Sequence, residues 1–268
     1  MDSHRIVQAP RLGTIKSFWQ TVRGEVVSLA GLKVIIPGPL PIRLAVVLGN
    51  LRMQRMLDSF IQPGDTVVDV GANIGYNTLY AAQRTGPQGH VYAVEPAQDN
   101  LTVLYANLLM NRLRNVSVLP YAAGSSREIK RFFLRGEVSA VNSFYQENFY
   151  HPVTETIDVL AAPLDDLVSG SPKLVKIDVE GGEIEVLRGM SRMLATGTPR
   201  LIVEWHPTLQ EAAGHAPTAL PYHLFDLGFQ LSVVTHTSFS PLQPMEVPAL
   251  ASKLLRKRSP VELLAIRR

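Results

Sequence analysis

Acidic, amide and imidazole side chains recur where short apolar runs of this chain end, at Asp69, Asn73, Glu95, Asp178, Glu180, Glu204 and His206. The richest of these places is 66–78, TVVDVGANIGYNT. A buried strand starts at Val67 and Val68, Asp69 lies near its end, Gly71 and Gly75 turn the chain, and a helix begins at Tyr76. Glycine at 71 permits a tight turn and a close approach of backbone to a ligand. The free N–H groups of the helix start face the crevice above the strand. The next apolar run, HVYAVEP at 90–96, ends in Glu95, a carboxylate placed to accept both hydroxyl protons of a ribose. Together these imply a cofactor that carries a nucleoside.

The turn itself narrows the choice. A dinucleotide site reads G-x-G-x-x-G, with a middle glycine that makes room for pyrophosphate. Here the turn is G-A-N-I-G, with Asn73 in the way and Asp69 just before it. A carboxylate and an amide repel a pyrophosphate but suit the ammonium and carboxylate of an amino-acid tail. S-adenosylmethionine (SAM) has that tail, a ribose for Glu95 and no phosphate, and is preferred to NAD(P). A glycine turn that only packs a helix on a sheet would leave Asp69 and Glu95 unexplained.

The elements that position these residues alternate. Strands are expected at 66–70, 90–95, 116–121, 173–179, 200–205 and 229–234, with helices at 75–85, 98–112, 181–195 and 218–227. Such alternation means parallel strands joined by right-handed crossovers. The run 261–267 closes the sheet as an antiparallel strand. Added strands are expected at 129–134 and 156–162, around a polar, aromatic loop at 137–151. The proline-rich stretch 236–259 reads as a long loop, a lid or an ordered arm. Residues 1–60 form an N-terminal extension, a small hairpin plus a helix, and 61–268 the main domain. Ligands of an open α/β sheet bind beyond the carboxyl ends of its strands, where Ala122 and Ala123 are small enough for an adenine to lie flat.

With 268 residues, 46% hydrophobic and 18% charged, the chain is globular. It has no cysteine, which excludes disulfides, thiolate chemistry and cysteine zinc sites. The N-terminus lacks the apolar core of a signal peptide, and 44–51 is too short to cross a bilayer, so no membrane span and a cytoplasmic location are expected. Net charge is +3 and aromatics are 7%, which speaks against a nucleic-acid partner. The basic run KLLRKR at 253–258 reads as a solvated surface.

At the later strand ends, Asp178 can cap a helix or stand at a reaction centre. Glu180 reads as structural, reaching back to N–H groups of the turn before Gly181 and Gly182. Glu204 ends an apolar strand and must have a partner, in protein or in substrate. His206 has a pKa suited to accepting a proton near neutrality. Asp178, Glu204 and His206 are ligand types that can hold a metal, although the reading adopted contains none.

VVDVGANIGYNT, VYAVEP, LPYAAG (119–124), LDDLV (164–168), KIDVEGGEIEVLRG (176–189) and LIVEWHP (201–207), in that order, resemble FkbM-type SAM-dependent methyltransferases over about 60–210. The resemblance implies a class I methyltransferase fold, a Rossmann-like α/β arrangement of seven strands in the order 3-2-1-4-5-7-6, with the last strand antiparallel and helices on both faces. By the same resemblance Gly71 and Asn73 line the SAM tail, Glu95 binds the ribose and Asp178 lies at the transfer site, while Asp69 and Gly75 belong to the same glycine turn. It implies O-methylation of a hydroxyl on a small molecule, polyketide or sugar. His206 is the expected base, with Asp178 and Glu204 as further catalytic candidates. The segments 137–151 and 236–259 are expected to recognise the acceptor. An NAD(P)-dependent oxidoreductase and a non-catalytic SAM-binding module are the competing readings.

Overall fold

The computed structural model describes residues 24–38, 40–135, 142–145, 152–235 and 238–267. At its centre lies β3 (Thr66–Val70), flanked by β4 (His90–Val94) and β9 (Leu174–Ile177). The burial of β3, β4 and β9 on both faces explains their nearly unbroken Val, Ile, Leu and Ala content. Outward on one side stands β5 (Val116–Leu119). On the other follow β10 (Arg200–Trp205), β13 (Val261–Ile266), β11 (Gln230–Val234) and β12 (Phe239–Leu242). Strands β5, β4, β3, β9 and β10 are mutually parallel, and β13 is antiparallel to both β10 and β11. The sheet has eight strands where seven were expected. The extra one, β12, comes from the stretch read as a loop.

That stretch is ordered throughout its described part. After β12, the helix Val247–Lys257 buries Val247, Ala251 and Leu254. Spacing of four and three residues puts all of them on one helical stripe. Pro248 at the start of that helix is where proline is tolerated, because the first N–H groups have no helical partner. The helix expected at 181–195 is two, Glu183–Arg188 and Ser191–Thr196, and the short helix Pro207–Ala212 was not anticipated.

A second, three-stranded sheet is built from β6 (Ala122–Ala123), β8 (Glu155–Ala162) and β7 (Glu128–Leu134). Of the 137–151 loop, only 142–145 lies among the described residues. Ser143 bridges to Phe133 and so holds this piece against β7.

The N-terminal hairpin, β1 (Glu25–Leu29) and β2 (Leu32–Ile36), turns at Ala30 and Gly31. With the helix Leu40–Phe60 it shares one apolar core with the sheet: Ile35, Met53, Met56 and Leu57 pack with Val67, Leu174, Ile202 and Leu264. Each such buried side chain contributes about 1.5–3 kcal/mol relative to exposure. Asparagines of the helix Gln98–Met110 and its C-cap take the place of a neighbouring strand for β2. Asn107 Oδ1 accepts the Ile35 N–H at 2.7 Å, and Asn111 accepts the Lys33 N–H at 2.8 Å. No side chain caps this helix start, and Asn100 donates to Glu95.

The tips of β3 and β9 meet at backbone level. Asp178 N–H donates to Val70 C=O at 3.1 Å, and a Cβ on Gly71 would stand 1.9 Å from the Asp178 carbonyl oxygen. Gly71 has φ +78° besides. Glycine is therefore required here by contact between two strand ends. Gly71→Ala should destabilise the fold by about 1–3 kcal/mol or more, read as a lower urea midpoint; unchanged stability would show that the two tips can separate freely.

Candidate functional site

Where the strands end, the chain leaves one cleft of about 620 Å³. Its wall at β3 and β4 includes Gly71, Ala72, Asn73, Glu95 and Pro96, and beyond them Tyr121, Ala122 and Ala123. The turn after β3 is drawn toward β4 by N–H groups of Gly71 and Ala72, both 3.0 Å from the Val94 carbonyl. Asn73, at φ 50°, points its N–H at Glu95 Oε2 over 2.9 Å. Glu95 Oε1 accepts from Ala97 N–H at 2.9 Å and Asn100 Nδ2 at 3.0 Å. Burial raises the Glu95 pKa, and these donors counter it. A carboxylate offers about four acceptor sites; three are filled by the protein, and a donor in the cleft can take the remaining one.

Strand alternation assembles the other half. Side chains two residues apart share a face, so Lys176 and Asp178 lie on the face that carries Leu174, and Glu204 and Glu262 on that of Ile202 and Leu264. In register, Asp69 neighbours Lys176 and Glu204 neighbours Glu262. Asp178, Glu180 and Glu204 converge, with one carboxylate oxygen of each within 4.8 Å of the others. Lys176 is 2% exposed; its Nζ lies 2.9 Å from Asp178 Oδ2 and 3.9 Å from Asp69 Oδ1. The chain's own ammonium thus reaches this acidic group at Asp178. Burial pulls the Lys176 pKa down, but Asp178, Asp69 and Glu262 outweigh it and leave the value raised. Burial raises Glu180 and Glu204 well above ordinary carboxylates, and the Asp178 charge adds to both. Glu180 stands at φ 57°, a left-handed backbone that costs a non-glycine residue of order 1–3 kcal/mol.

Facing this row are Phe132, Phe144 and Tyr145, with Ile36, Pro37, Gly49 and Met53 of the N-terminal segment. Arg135, 2% exposed, donates to Phe133 C=O at 3.3 Å and Ser143 Oγ at 3.1 Å, which holds the piece bearing Phe144.

Several expected residues occupy other positions. Gly71, Asn73, Glu95, Ala122, Ala123, Asp178 and Glu204 line the cleft; Asp69, Gly75 and His206 do not. Asp69 lies beneath it, 2% exposed, accepting from Thr78 Oγ1 at 2.6 Å. Gly75 ends the turn, where a Cβ would meet Leu104 at 2.1 Å. The chain turns at His206 into the helix Pro207–Ala212, with the ring 7% exposed and its pKa lowered by burial. No described residue of 236–259 lines the cleft. The backbone role expected of Glu180 belongs to Glu183, whose Oε1 accepts from Gly181 N–H at 3.1 Å and Val179 N–H at 3.3 Å. Lys176 and Glu262 were missed, although their even spacing from Asp178 and Leu264 along a strand was readable.

A family model, the methyltransferase FkbM domain, matches residues 69–231. Methyltransferase sdnD of Sordaria araneosa is 32% identical over 53% of this chain and 67% of its own length. Hexuronic acid methyltransferase AglP of Haloferax volcanii is 30% identical over 61% of this chain and 65% of its own length. Among solved structures, a methyltransferase FkbM from Methylobacillus flagellatus aligns with 94% of this chain and 59% of that one, at 16% identity and a TM-score of 0.49. The family match spans the glycine turn after β3 and every strand end of the carboxylate row except that of Glu262. The chain belongs to the FkbM methyltransferase domain family, whose methyl donor is SAM. Among the described residues, no helix is long and apolar enough to cross a membrane.

Burial raises the Glu183 pKa to about 7, against the donors of Gly181 and Val179. The folded state then holds a proton that the unfolded chain releases, so stability is fullest below the unfolded value and falls as pH rises toward 7. The full effect is about 3 kcal/mol. In urea denaturation, Glu183→Gln should flatten this fall, with Gln210, 2.6 Å away, able to turn its amide to match. An unchanged slope would exclude Glu183 as its source.

Proposed function

We propose that this protein is a SAM-dependent O-methyltransferase whose acceptor is an uncharged, hydroxyl-bearing small molecule or sugar. One observation carries the reading: a single cleft with the glycine turn and Glu95 at one end and the carboxylate row at the other. SAM supplies an electrophilic methyl group on a sulfonium. The backbone of 71–73 holds its amino-acid tail in this reading, Glu95 accepts from the ribose with its remaining lone pair, and Ala122 and Ala123 leave room for the adenine. Asp69 contributes from below, through Thr78 and Lys176.

At the other end, Asp178 orients the acceptor hydroxyl, and alignment of that oxygen with the methyl group can supply several kcal/mol. The hydroxyl proton passes to Glu204, with Glu180 beside it. Both line the cleft, and burial makes both stronger bases than an ordinary carboxylate. His206 was the base expected from the sequence; its buried ring off the cleft wall supports a structural part, with the helix start at Pro207. Phe132, Phe144 and Tyr145 offer apolar faces to a ring. The hexuronic acid in the name of the Haloferax volcanii relative is anionic; a row of carboxylates favours an uncharged acceptor here. The family match sets the oxidoreductase reading aside.

Calorimetry should detect SAM binding, and Glu95→Gln should weaken it by about 1.5–3 kcal/mol, roughly 10- to 150-fold. Unchanged affinity would end the ribose assignment. Methyl transfer from labelled SAM is then scored over a panel of neutral polyols, sugars and phenols, with uronic acids as the anionic control. No transfer to any of them, despite SAM binding, would favour the non-catalytic module.

With an acceptor from that panel, Glu204→Gln should slow turnover by about 10²–10⁴-fold while SAM affinity holds. His206→Gln should keep most of the rate. The opposite ranking would return the base to His206.

A further inference from the structure

Lys176 is the one cleft-lining residue in this row whose charge is opposite to its neighbours' and whose side chain is almost wholly buried, 3% exposed. It sits on a central strand, between Asp69 on β3 and Ile202 on β10 in register. A flexible side chain would ordinarily take an ammonium to water; here the stem is enclosed and the Nζ is held 2.9 Å from Asp178 Oδ2. Removing a buried ion from water costs several kcal/mol unless it is paired, so this position is one the fold maintains against a penalty. A partner for Asp69 alone would not require contact with the cleft, and the distance to Asp69 Oδ1, 3.9 Å, is the longer of the two.

We propose that Lys176 is a positioning residue of the transfer site. Its ammonium aims the Asp178 carboxylate into the cleft and fixes how much negative charge Glu180 and Glu204 can carry together. The inference rests on the cleft being the site of transfer, and neither family resemblance nor sequence spacing had given Lys176 a part. The charged groups that face this arrangement are Asp69 from β3, Asp178 and Glu180 from the turn after β9, Glu204 from β10 and Glu262 from β13. Glu183 and Arg135 act on Glu180 from the following helix and from the end of β7. Without the lysine, this set contains four carboxyls in the cleft wall, Asp178, Glu180, Glu204 and Glu262, with Arg135 acting on Glu180 and with Lys130, also of the wall, paired to Glu128. Like charges that close cannot all ionise, and the midpoint at which the glutamates lose their protons must then move up.

The test is read without an acceptor, so its outcome is independent of whether methyl transfer has been found. Infrared spectra of the full chain, in metal-free buffer, follow the C=O stretch of protonated carboxyls against pH. Glu180→Gln and Glu204→Gln assign the bands. In Lys176→Met the Glu180 and Glu204 midpoint should rise by about one pH unit or more, in protein shown to be folded by circular dichroism and a cooperative urea transition. Lys176→Arg, which keeps the charge, should restore the wild-type midpoint. The double variant Lys176→Met/Asp69→Asn removes the buried charges together and guards against simple loss of fold; its midpoint should rise too. A midpoint that stays in place in folded Lys176→Met overturns the proposal and leaves Lys176 as a counter-ion for Asp69.

Discussion

Two strand ends touching at backbone level govern this site. With Gly71 against the Asp178 carbonyl and Asp178 N–H on Val70, the tips of β3 and β9 are separated by less than a side chain. The glycine turn and the carboxylate row are therefore joined as one body. Hydrogen bonds from Gly71, Ala72 and Asn73 to Val94 and Glu95 extend the same junction to β4. A cleft built on the ends of three adjacent strands inherits their spacing, and this rigidity suits a reaction that depends on alignment.

The second constraint is electrostatic. Parallel strands deliver their polar terminal residues to one edge, and here most of these are acidic. Burial alone would suppress their charge. The response of the fold differs from residue to residue: three donors for Glu95, backbone N–H groups and Gln210 for Glu183, an ammonium for Asp178 and Asp69. Glu180 and Glu204 receive less, and they are the ones held far above the ordinary carboxylate range. Both line the cleft, and strongly perturbed groups tend to collect in functional sites.

Much of this was legible in the residues. The period of β3, α-helix and β4, the glycine turn and Glu95 are local patterns, and local patterns survive folding. The helix Leu40–Phe60, the hairpin at Ala30 and Gly31 and the added strands β7 and β8 were read for the same reason. What escaped depended on partners far along the chain. The stretch 236–259 looks like a loop because of its prolines, yet Pro241 lies in an edge strand, where a missing N–H is tolerated. Whether Glu180 or Glu183 would reach the turn depended on a positive φ at Glu180 that no spacing announces. His206 was placed correctly beyond its strand, but the direction of its ring was set by the helix that starts at Pro207.

The family match begins at Asp69, whereas Ile36, Pro37, Gly49 and Met53 line the same cleft from a segment that precedes it. The part of the chain that names the chemistry and the part that roofs the cavity are thus encoded apart and joined only by packing. Such an arrangement is open to exchange: a different segment before Asp69, matched to the same apolar face of the sheet, would reshape the chamber without disturbing the carboxylate-bearing strand ends beneath it.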